Sequence, residues 1–315
     1  MLVVRREGLE PTCLAAPAPK AGASTNSATF AAVACTKKRD KNNVLYPRVS
    51  VGHYENFPVA SLLLPAPLRA PIEVIYRFAR SADDIADEGN DAPDMRLAKL
   101  SVYQARLAKI ASGETPDDPL FRDVAGIVRS HRLPIQLFRD LLDAFAQDVT
   151  KKRYASFAEL LDYCRRSANP VGRLLLHLFK RTTDSDLARS DAICSALQLI
   201  NFWQDVEIDY AKGRIYLPQD EMARFGFTEK HLSEKRTDES WRALMAFQIE
   251  RARSLLITGE PLGRTLPGRV GLEIRATVQG GLLILKKIQK ADYDIFRRRP
   301  ALGAFDWPLV LLRAV

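Results

Sequence analysis

Cysteine is scarce in this chain, which has only four in 315 residues. The four lie far apart, and the gaps between them do not match the spacing of metal ligands. The sequence therefore predicts no disulfide framework and no zinc module, and it is typical of a cytoplasmic protein whose thiols stay reduced. These residues are Cys13, Cys35, Cys164 and Cys194.

Long apolar runs are also absent. The longest stretches are VASLLLPAPL (59–68) and ALQLINFW (196–203). Both are far shorter than the roughly 20 residues that a membrane-spanning helix needs. We therefore expect a soluble protein, or one that contacts the inner face of a membrane only at its surface.

An excess of basic charge is confined mainly to the N-terminus. The formal net charge is +9, and residues 1–50 hold eight Lys or Arg against three acids. The sequence has no zinc-finger pattern, no glycine-rich phosphate loop and no alternation of basic with aromatic residues. These absences argue against a protein that binds nucleic acid.

The chain divides into three parts by composition. Residues 1–50 are rich in Ala, Ser, Thr, Pro and Lys without a helical period, and we interpret them as a disordered leader or a start placed too far upstream. Residues 51–300 are expected to form a helical domain, and residues 301–315 a C-terminal tail. Amphipathic runs of good helix formers occur at 71–88, 94–112, 118–130, 134–148, 156–181, 184–210, 218–225, 228–233, 238–258 and 269–298. This pattern predicts a single all-α domain with helices around a central active-site cavity.

An acidic cluster occupies residues 77–91, RFARSADDIADEGND. In a helix, Asp83 and Asp87 lie one turn apart with Asp84 beside them, so their like charges repel. Arg80 is one of the few nearby bases. Two interpretations remain open, since a charge run can be a solvated helix face or a face that binds a cation.

A second polar series runs through a strongly apolar helix. Gln198, Asn201, Asp205 and Asp209 recur at spacings of three and four, which places one amide or carboxylate per turn on one face. Buried carboxylates are costly unless they bind hydrogen-bond donors, basic groups or metal ions. Two such acidic helices would suit Mg²⁺, which prefers oxygen ligands and commonly bridges to phosphates. The two clusters together therefore predict a site for metal and diphosphate.

Four sequence blocks carry a resemblance to a known family. They are DDIADE (83–88), YCRRSANPVG (163–172), NFWQDVEIDYAKGRIYLP (201–218) and DYDIFRRRP (292–300). The first three resemble the signature blocks of the squalene and phytoene synthases, and the last is similar to that family's C-terminal segment. The resemblance implies an isoprenoid synthase fold and a reaction of prenyl diphosphates.

The resemblance also implies roles for individual residues. The implied ligands of Mg²⁺, with Mn²⁺ as a substitute, are Asp83, Asp84, Asp87, Asn201, Asp205 and Asp209. The residues expected to bind the diphosphate are Arg80, Arg214, Lys212, Gln198, Tyr293, His53 and Asn56. Tyr76 and Tyr163 match cavity tyrosines, whose ring faces would stabilise a carbocation. Tyr163 is also the family's candidate for steps that need a hydroxyl group.

Departures from the family pattern favour one of its branches. Asn169 stands where a glycine is usual, and Pro170 after it predicts a kinked helix. Gln204 replaces an arginine, and Asn56 lies in an altered N-terminal segment. These changes resemble the bacterial hydroxysqualene synthases, in which presqualene diphosphate is ionised, rearranged and captured by water. We expect Asn169, with Gln204, to orient that water.

The resulting hypothesis is a Mg²⁺-dependent hydroxysqualene synthase of squalene and hopanoid biosynthesis that needs no NADPH. An alternative within the family is condensation of two prenyl diphosphates to presqualene diphosphate or to phytoene. An alternative of another class is a non-catalytic helical assembly protein. The expected pathway neighbours are a presqualene diphosphate synthase and a hydroxysqualene reductase. We also expect transient contact of the basic segment 297–300 with membrane lipid.

Overall fold

A computed structural model describes residues 65–297 and 299–315. Over these ranges the chain forms helices and no β-strand, apart from an isolated bridge between Arg153 and Ile215. The all-α fold class predicted from the sequence is confirmed. None of the helices in the described ranges is long and apolar enough to cross a membrane.

The helices are numbered here in chain order. They are α1 (Ala66–Asp87), α2 (Pro93–Ala111), α3 (Pro119–His131), α4 (Ile135–Thr150), α5 (Phe157–Ser167), α6 (Asn169–Leu178), α7 (Asp184–Gln204), α8 (Val206–Ala211), α9 (Gln219–Arg224), α10 (Glu229–Ser233), α11 (Glu239–Gly259), α12 (Leu262–Thr265), α13 (Gly268–Lys290) and α14 (Trp307–Ala314). A 3₁₀ turn, Ala304–Asp306, precedes the last of them.

Side-chain caps fix the starts of the helices that carry the polar blocks. The Ser156 hydroxyl accepts a hydrogen bond from the backbone N–H of Glu159 at the start of α5. Thr183 does the same for Asp186 at the start of α7. Each cap satisfies an N–H group that a helix leaves without a partner in its first turn. The sequence therefore defines where both helices begin.

Two helices predicted as continuous are each divided. The segment 156–181 breaks at Ala168 (φ −116°, ψ −47°), between α5 and α6 and beside the predicted kink at Pro170. The break follows from proline, whose ring clashes with the preceding helical turn. The segment 184–210 breaks at Asp205 (φ −107°, ψ 13°), between α7 and α8. No proline or glycine marks this second break, so the sequence contains no local signal for it.

The C-terminal end also differs from the prediction. The helix predicted over 269–298 ends at Lys290, because the chain turns at Asp292 with a left-handed φ of 51°. The segment 301–315, predicted as a tail, contains α14. This helix packs against α13 and buries Val310 in the apolar core. The expected leader, residues 1–50, lies outside the described residues.

Two apolar clusters hold the helices together. One lies mainly between α1, α2, α3, α4 and α6, and the other surrounds α5, α7, α11 and α13. Gly172 lets α6 approach α7 closely, because an added Cβ would lie 2.4 Å from Ser190 Oγ and 2.6 Å from Cys194 Sγ. Any larger side chain would push the two helices apart. The glycine thus holds α6 against the helix with the second polar series.

Glu273 on α13 provides a test of the packing. It is 9% exposed, its Oε2 is buried without a hydrogen bond among the described residues, and burial raises its pKa to about 8. In the unfolded chain the pKa of a glutamate is about 4.3. At pH values between these two pKa values, the folded protein holds one proton more than the unfolded chain. Its free energy of unfolding should therefore fall by about 1 kcal/mol per pH unit as pH rises.

We expect Glu273→Gln to remove this pH dependence. The variant should melt at a higher temperature than the parent at pH 8 and at nearly the same temperature at pH 4, as measured by thermal unfolding across this range. Glu250→Gln is the control, because the Glu250 side chain is 65% exposed. Equal pH slopes for the parent and Glu273→Gln would contradict the burial of this carboxyl group.

Candidate active site

Arg214, in the loop after α8, joins the two acidic clusters. Its Nη2 lies 2.5 Å from Oδ1 of Asp87 and its Nη1 lies 3.1 Å from Oδ2, although the two residues are 127 positions apart. Both side chains are almost fully buried. Lys212 Nζ lies 3.9 Å from the same carboxylate. The C-terminal end of α1 therefore meets the segment that follows the second polar series.

Arg80 binds the first acidic cluster from the same helix. Its guanidinium lies 2.7 Å from Asp84, 2.7 Å from Glu88 and 3.5 Å from Asp83. Asp84 and Glu88 are partly exposed, whereas Asp83 is 2% exposed. Burial, together with the charge of Asp87, raises the pKa of Asp83. Asp83 and Asp87 are therefore the inward pair of this cluster.

The second series contains buried groups without partners. Among the described residues, Asp209 Oδ2 and both amide atoms of Gln198 are buried and form no hydrogen bond. Burial and the charge of Asp205 raise the pKa of Asp209. Asn201 is also buried on this face. Because unsatisfied buried polar groups are rare and costly, this arrangement suits a polar ligand.

Asp205 forms an ion pair with Arg299. Arg299 Nη2 lies 3.2 Å from Asp205 Oδ2, and its Nε contacts the other oxygen. Arg299 belongs to the basic segment that follows α13. The C-terminal segment is thus attached to the break between α7 and α8.

Asp148, in the last turn of α4, accepts hydrogen bonds from two buried tyrosines. Tyr163 donates to Oδ2 over 2.6 Å and Tyr216 to Oδ1 over 3.2 Å. Arg214 donates to the backbone carbonyl of Asp148 over 3.2 Å. Burial raises the pKa of Asp148 to about 6, against the opposing effects of Arg214 and of the Tyr163 hydroxyl. A continuous set of contacts therefore links Asp87, through Arg214, to Asp148 and Tyr163.

The polar blocks and their placement match a known family. The family model described as squalene/phytoene synthase matches residues 51–306. The chain belongs to the squalene/phytoene synthase family. It is therefore a member of a family of prenyltransferase-type enzymes.

Individual relatives of this family carry two different activities in their names. The chain is 32% identical to a 15-cis-phytoene synthase from Synechococcus elongatus over 85% of its own length and 91% of that protein. It is 36% identical to a hydroxysqualene synthase from Sinorhizobium fredii over 69% of its own length and 73% of that protein. Among solved structures, squalene synthase HpnC from Alicyclobacillus acidocaldarius is 36% identical, with a TM-score of 0.72 over 76% of this chain and 90% of that one. Family membership alone does not choose between the reactions.

The side-chain oxygens of the two acidic helices are of the type that binds a hard divalent cation. Carboxylate and amide oxygens, such as those of Asp83, Asn201 and Asp209, are ligands that Mg²⁺ prefers. No three acidic, histidine or cysteine side chains within residues 65–297 and 299–315 form a complete metal site. Asp87 and Asp205 turn towards arginines instead. In proteins Mg²⁺ is usually held by only one or two carboxylates together with water and substrate phosphates.

Two residues predicted to line the site differ in their placement. Tyr76 lies one turn before Arg80 on α1. Burial lowers the pKa of the Arg80 guanidinium, but the charges of Asp83, Asp84 and Glu88, with a smaller effect of Tyr76, raise it overall. Tyr293 packs against the apolar core, and its carbonyl accepts a hydrogen bond from Trp241 Nε1 over 2.9 Å.

The assignment of Tyr293 to the diphosphate pocket stays a prediction. In the described part of the chain its hydroxyl has no hydrogen bond to either acidic cluster, because the turn at Asp292 and Tyr293 directs the ring into the core. His53 and Asn56, also predicted to bind diphosphate, lie outside the described residues.

Asn169 and Gln204, predicted to orient water, are both buried. Asn169 Oδ1 accepts a hydrogen bond from Ser195 over 2.9 Å. Gln204 Nε2 donates to the carbonyl of Pro300 over 2.5 Å, whereas its Oε1 is buried without a partner among the residues described. Ser195 and Gln204 lie nine residues apart on α7, roughly 13 Å along the helix axis and on opposite faces, so Asn169 and Gln204 do not meet at one water molecule.

Three residues of the site were missed by the sequence analysis. Asp148 lies on the apolar stripe of α4, in line with Leu141 and Phe145, and an acid in such a stripe was an available signal. Tyr216 lies within a quoted family block without an assigned role. Arg299 was interpreted as part of an exposed basic run, but its side chain is only 23% exposed and turns inward to Asp205.

Proposed function

We propose that this protein is a Mg²⁺-dependent hydroxysqualene synthase, which converts presqualene diphosphate and water to hydroxysqualene and diphosphate. The observation that carries the proposal is the polar group at the break between α5 and α6, where Asn169 and Ser195 are hydrogen-bonded. The acidic helices and Tyr163 add support, because they suit the ionisation of a diphosphate. The relative from Sinorhizobium fredii supports the same reaction.

A second candidate is a prenyl transferase that condenses two diphosphates to presqualene diphosphate or phytoene. The relative from Synechococcus elongatus favours it, because that protein aligns over more of the chain. A non-catalytic assembly protein would gain nothing from buried, unpaired groups such as Asp209 Oδ2, and we consider it third.

Basic groups that lack hydrogen bonds are the basis for diphosphate binding. Among the described residues, Lys212 Nζ and Arg214 Nε are buried without a hydrogen-bond partner. A phosphate oxygen would satisfy both, and Arg80 would contribute a third donor from α1. Bound Mg²⁺ would supply the additional positive charge that a departing diphosphate requires. The side chains that would hold it are Asp83, Asn201 and Asp209. Asp84, Asp87 and Asp205 could join them only after leaving their arginine partners.

In this proposal, Tyr163 acts on the organic part of the substrate. Because its hydroxyl donates to Asp148, its oxygen lone pairs remain available to a developing cation or to water. The rings of Phe202 and Tyr216 stack 3.8 Å apart and lie beside Tyr163, where their faces would stabilise positive charge.

The reaction then follows in three steps. The carbon–oxygen bond to diphosphate breaks with its electron pair, and the cyclopropylcarbinyl cation rearranges. The oxygen of water then bonds to the new cation and loses a proton. No reductant is consumed, and we expect no NADPH requirement. In this proposal, one neighbouring enzyme makes presqualene diphosphate and another reduces hydroxysqualene.

Substrate choice tests the proposal directly. Purified protein is incubated with Mg²⁺ and without NADPH, with presqualene, farnesyl or geranylgeranyl diphosphate, and the products are identified by mass spectrometry. We expect presqualene diphosphate alone to give a C30 alcohol. Formation of presqualene diphosphate from farnesyl diphosphate, or of phytoene from geranylgeranyl diphosphate, would replace the proposal with the condensing reaction. No turnover of any substrate would favour the assembly protein.

Asn169→Gly tests the water-orienting role in the same assay. We expect less alcohol relative to eliminated or rearranged hydrocarbon, because the capturing water loses a donor. An unchanged ratio would remove Asn169 from the mechanism without affecting the assignment of the substrate.

A further inference from the structure

The C-terminal helix presents an apolar face to solvent. Phe305 is 99% exposed, Leu309 38% and Leu312 77%. These three residues, here called the C-terminal apolar face, recur at spacings of four and three, so they lie on one side of the turn and helix. The opposite side of α14 is buried against α13 through Val310. The exposed side is therefore an unpartnered face of an amphipathic segment.

Basic side chains flank both ends of this face. Lys287 binds the carbonyl of Ala301 and the carboxylate of Asp306, which places the end of α13, with exposed Lys286 and Lys290, near the start of α14. At the other end, Arg275 binds the carbonyls of both Gly263 and Ala314. This contact places exposed Arg264 near exposed Arg313.

These flanking charges have no counterions of their own. Among the described residues, none of Lys286, Lys290, Arg264 and Arg313 forms an ion pair. The nearby acid Asp306 is already paired with Lys287. The segment thus combines an exposed apolar stripe with uncompensated positive charge, the combination that binds at the interface of an anionic bilayer.

We propose that the C-terminal apolar face docks this protein on an anionic lipid surface. Phe305 and Leu312 enter the acyl boundary, while the four basic side chains meet the lipid phosphates. A second copy of the chain fits this face less well, because a symmetric contact would bring two unpaired basic sets together. The proposal does not depend on which family reaction the protein catalyses.

Vesicle co-sedimentation tests the proposal on the full chain without substrate. The vesicles contain phosphatidylcholine alone or an equimolar mixture with phosphatidylglycerol. The test variant is Phe305→Ser/Leu312→Ser, and the control is Met95→Ser/Val102→Ser. The control removes two side chains of α2 that are 54% and 49% exposed and are also seven residues apart.

We expect the parent and the control to bind the anionic vesicles and the test variant to bind at least about a hundredfold more weakly, since each buried apolar side chain contributes about 1.5–3 kcal/mol. High salt should weaken binding of the parent. Circular dichroism and turnover in detergent should be the same for all three proteins, because the changed side chains are exposed.

Three results would overturn the proposal. One is equal binding of the test variant and the parent to anionic vesicles. Another is failure of the parent to bind any vesicle. The third is a dimer of the parent, detected by light scattering without vesicles, that the test variant alone converts to a monomer. That last result would make the face a surface for a second copy.

Discussion

Asp83→Asn should lose about a hundredfold to a thousandfold in turnover while folding at least as stably as the parent. Asp83 is 2% exposed, and burial with the charge of Asp87 raises its pKa. An acid whose pKa is raised by folding weakens the fold as pH rises, because the ionised form is disfavoured in the native state. The neutral amide removes that penalty.

Turnover should still fall, because a metal ligand must give up its proton to bind a cation and an amide cannot supply the same charge. The size of the loss is that expected when an electrostatic stabiliser of a transition state is removed, about 10²–10³. The measurements are turnover as a function of Mg²⁺ concentration and urea unfolding without metal. Added Mg²⁺ should partly restore the activity of the variant.

Asp91→Asn is the matched control for this prediction. Asp91 lies just beyond α1 with a 43% exposed side chain, where it pairs with Lys99. We expect this variant to keep the turnover and Mg²⁺ dependence of the parent. The role assigned to Asp83 would be wrong if Asp83→Asn retained full turnover, or if both variants lost activity alike.

Asp148→Asn should reduce turnover by about a hundredfold by releasing Tyr163 from its fixed orientation. The carboxylate accepts from Tyr163 and Tyr216 at once, and an amide offers only one acceptor oxygen for the two hydroxyls. Tyr163→Phe should cost a similar factor. If Asp148 acts through Tyr163, the double variant should be no slower than Tyr163→Phe alone, because groups that act as a unit are not additive.

The pH profile provides an independent measurement of the same role. With a pKa of about 6, Asp148 is ionised at neutral pH and becomes protonated as pH falls through that value. Protonation removes an acceptor, so turnover of the parent should fall below about pH 6. The pH profile of Asp148→Asn should lack this decrease. Asp143→Asn, at an exposed position on the same helix, should behave like the parent. Additive losses in the double variant would contradict the coupling of Asp148 to Tyr163.

Asp148→Ala separates the stabilising role from the catalytic one. This change leaves two buried hydroxyls without an acceptor, at about 1–3 kcal/mol each, so the variant should be much less stable than Asp148→Asn. The comparison shows how much of any lost turnover follows from loss of folded protein.

The sequence determined the helices and most of the polar donors of the site, because both depend on neighbours along the chain. Apolar spacing predicted an all-α protein, and the spacing of Gln198, Asn201, Asp205 and Asp209 predicted a polar series that the structure buries. The kink beside Pro170 was predictable for the same reason, since proline acts on the turn that precedes it.

Only the tertiary structure decided which of these groups meet. The contact of Arg214 with Asp87, the inward turn of Arg299 and the placement of two tyrosines on Asp148 join positions that are far apart in the chain. Local spacing carries no information on such pairs. They form because packed helices bury charges that water no longer stabilises, so each charge must find a partner within the protein or its ligand.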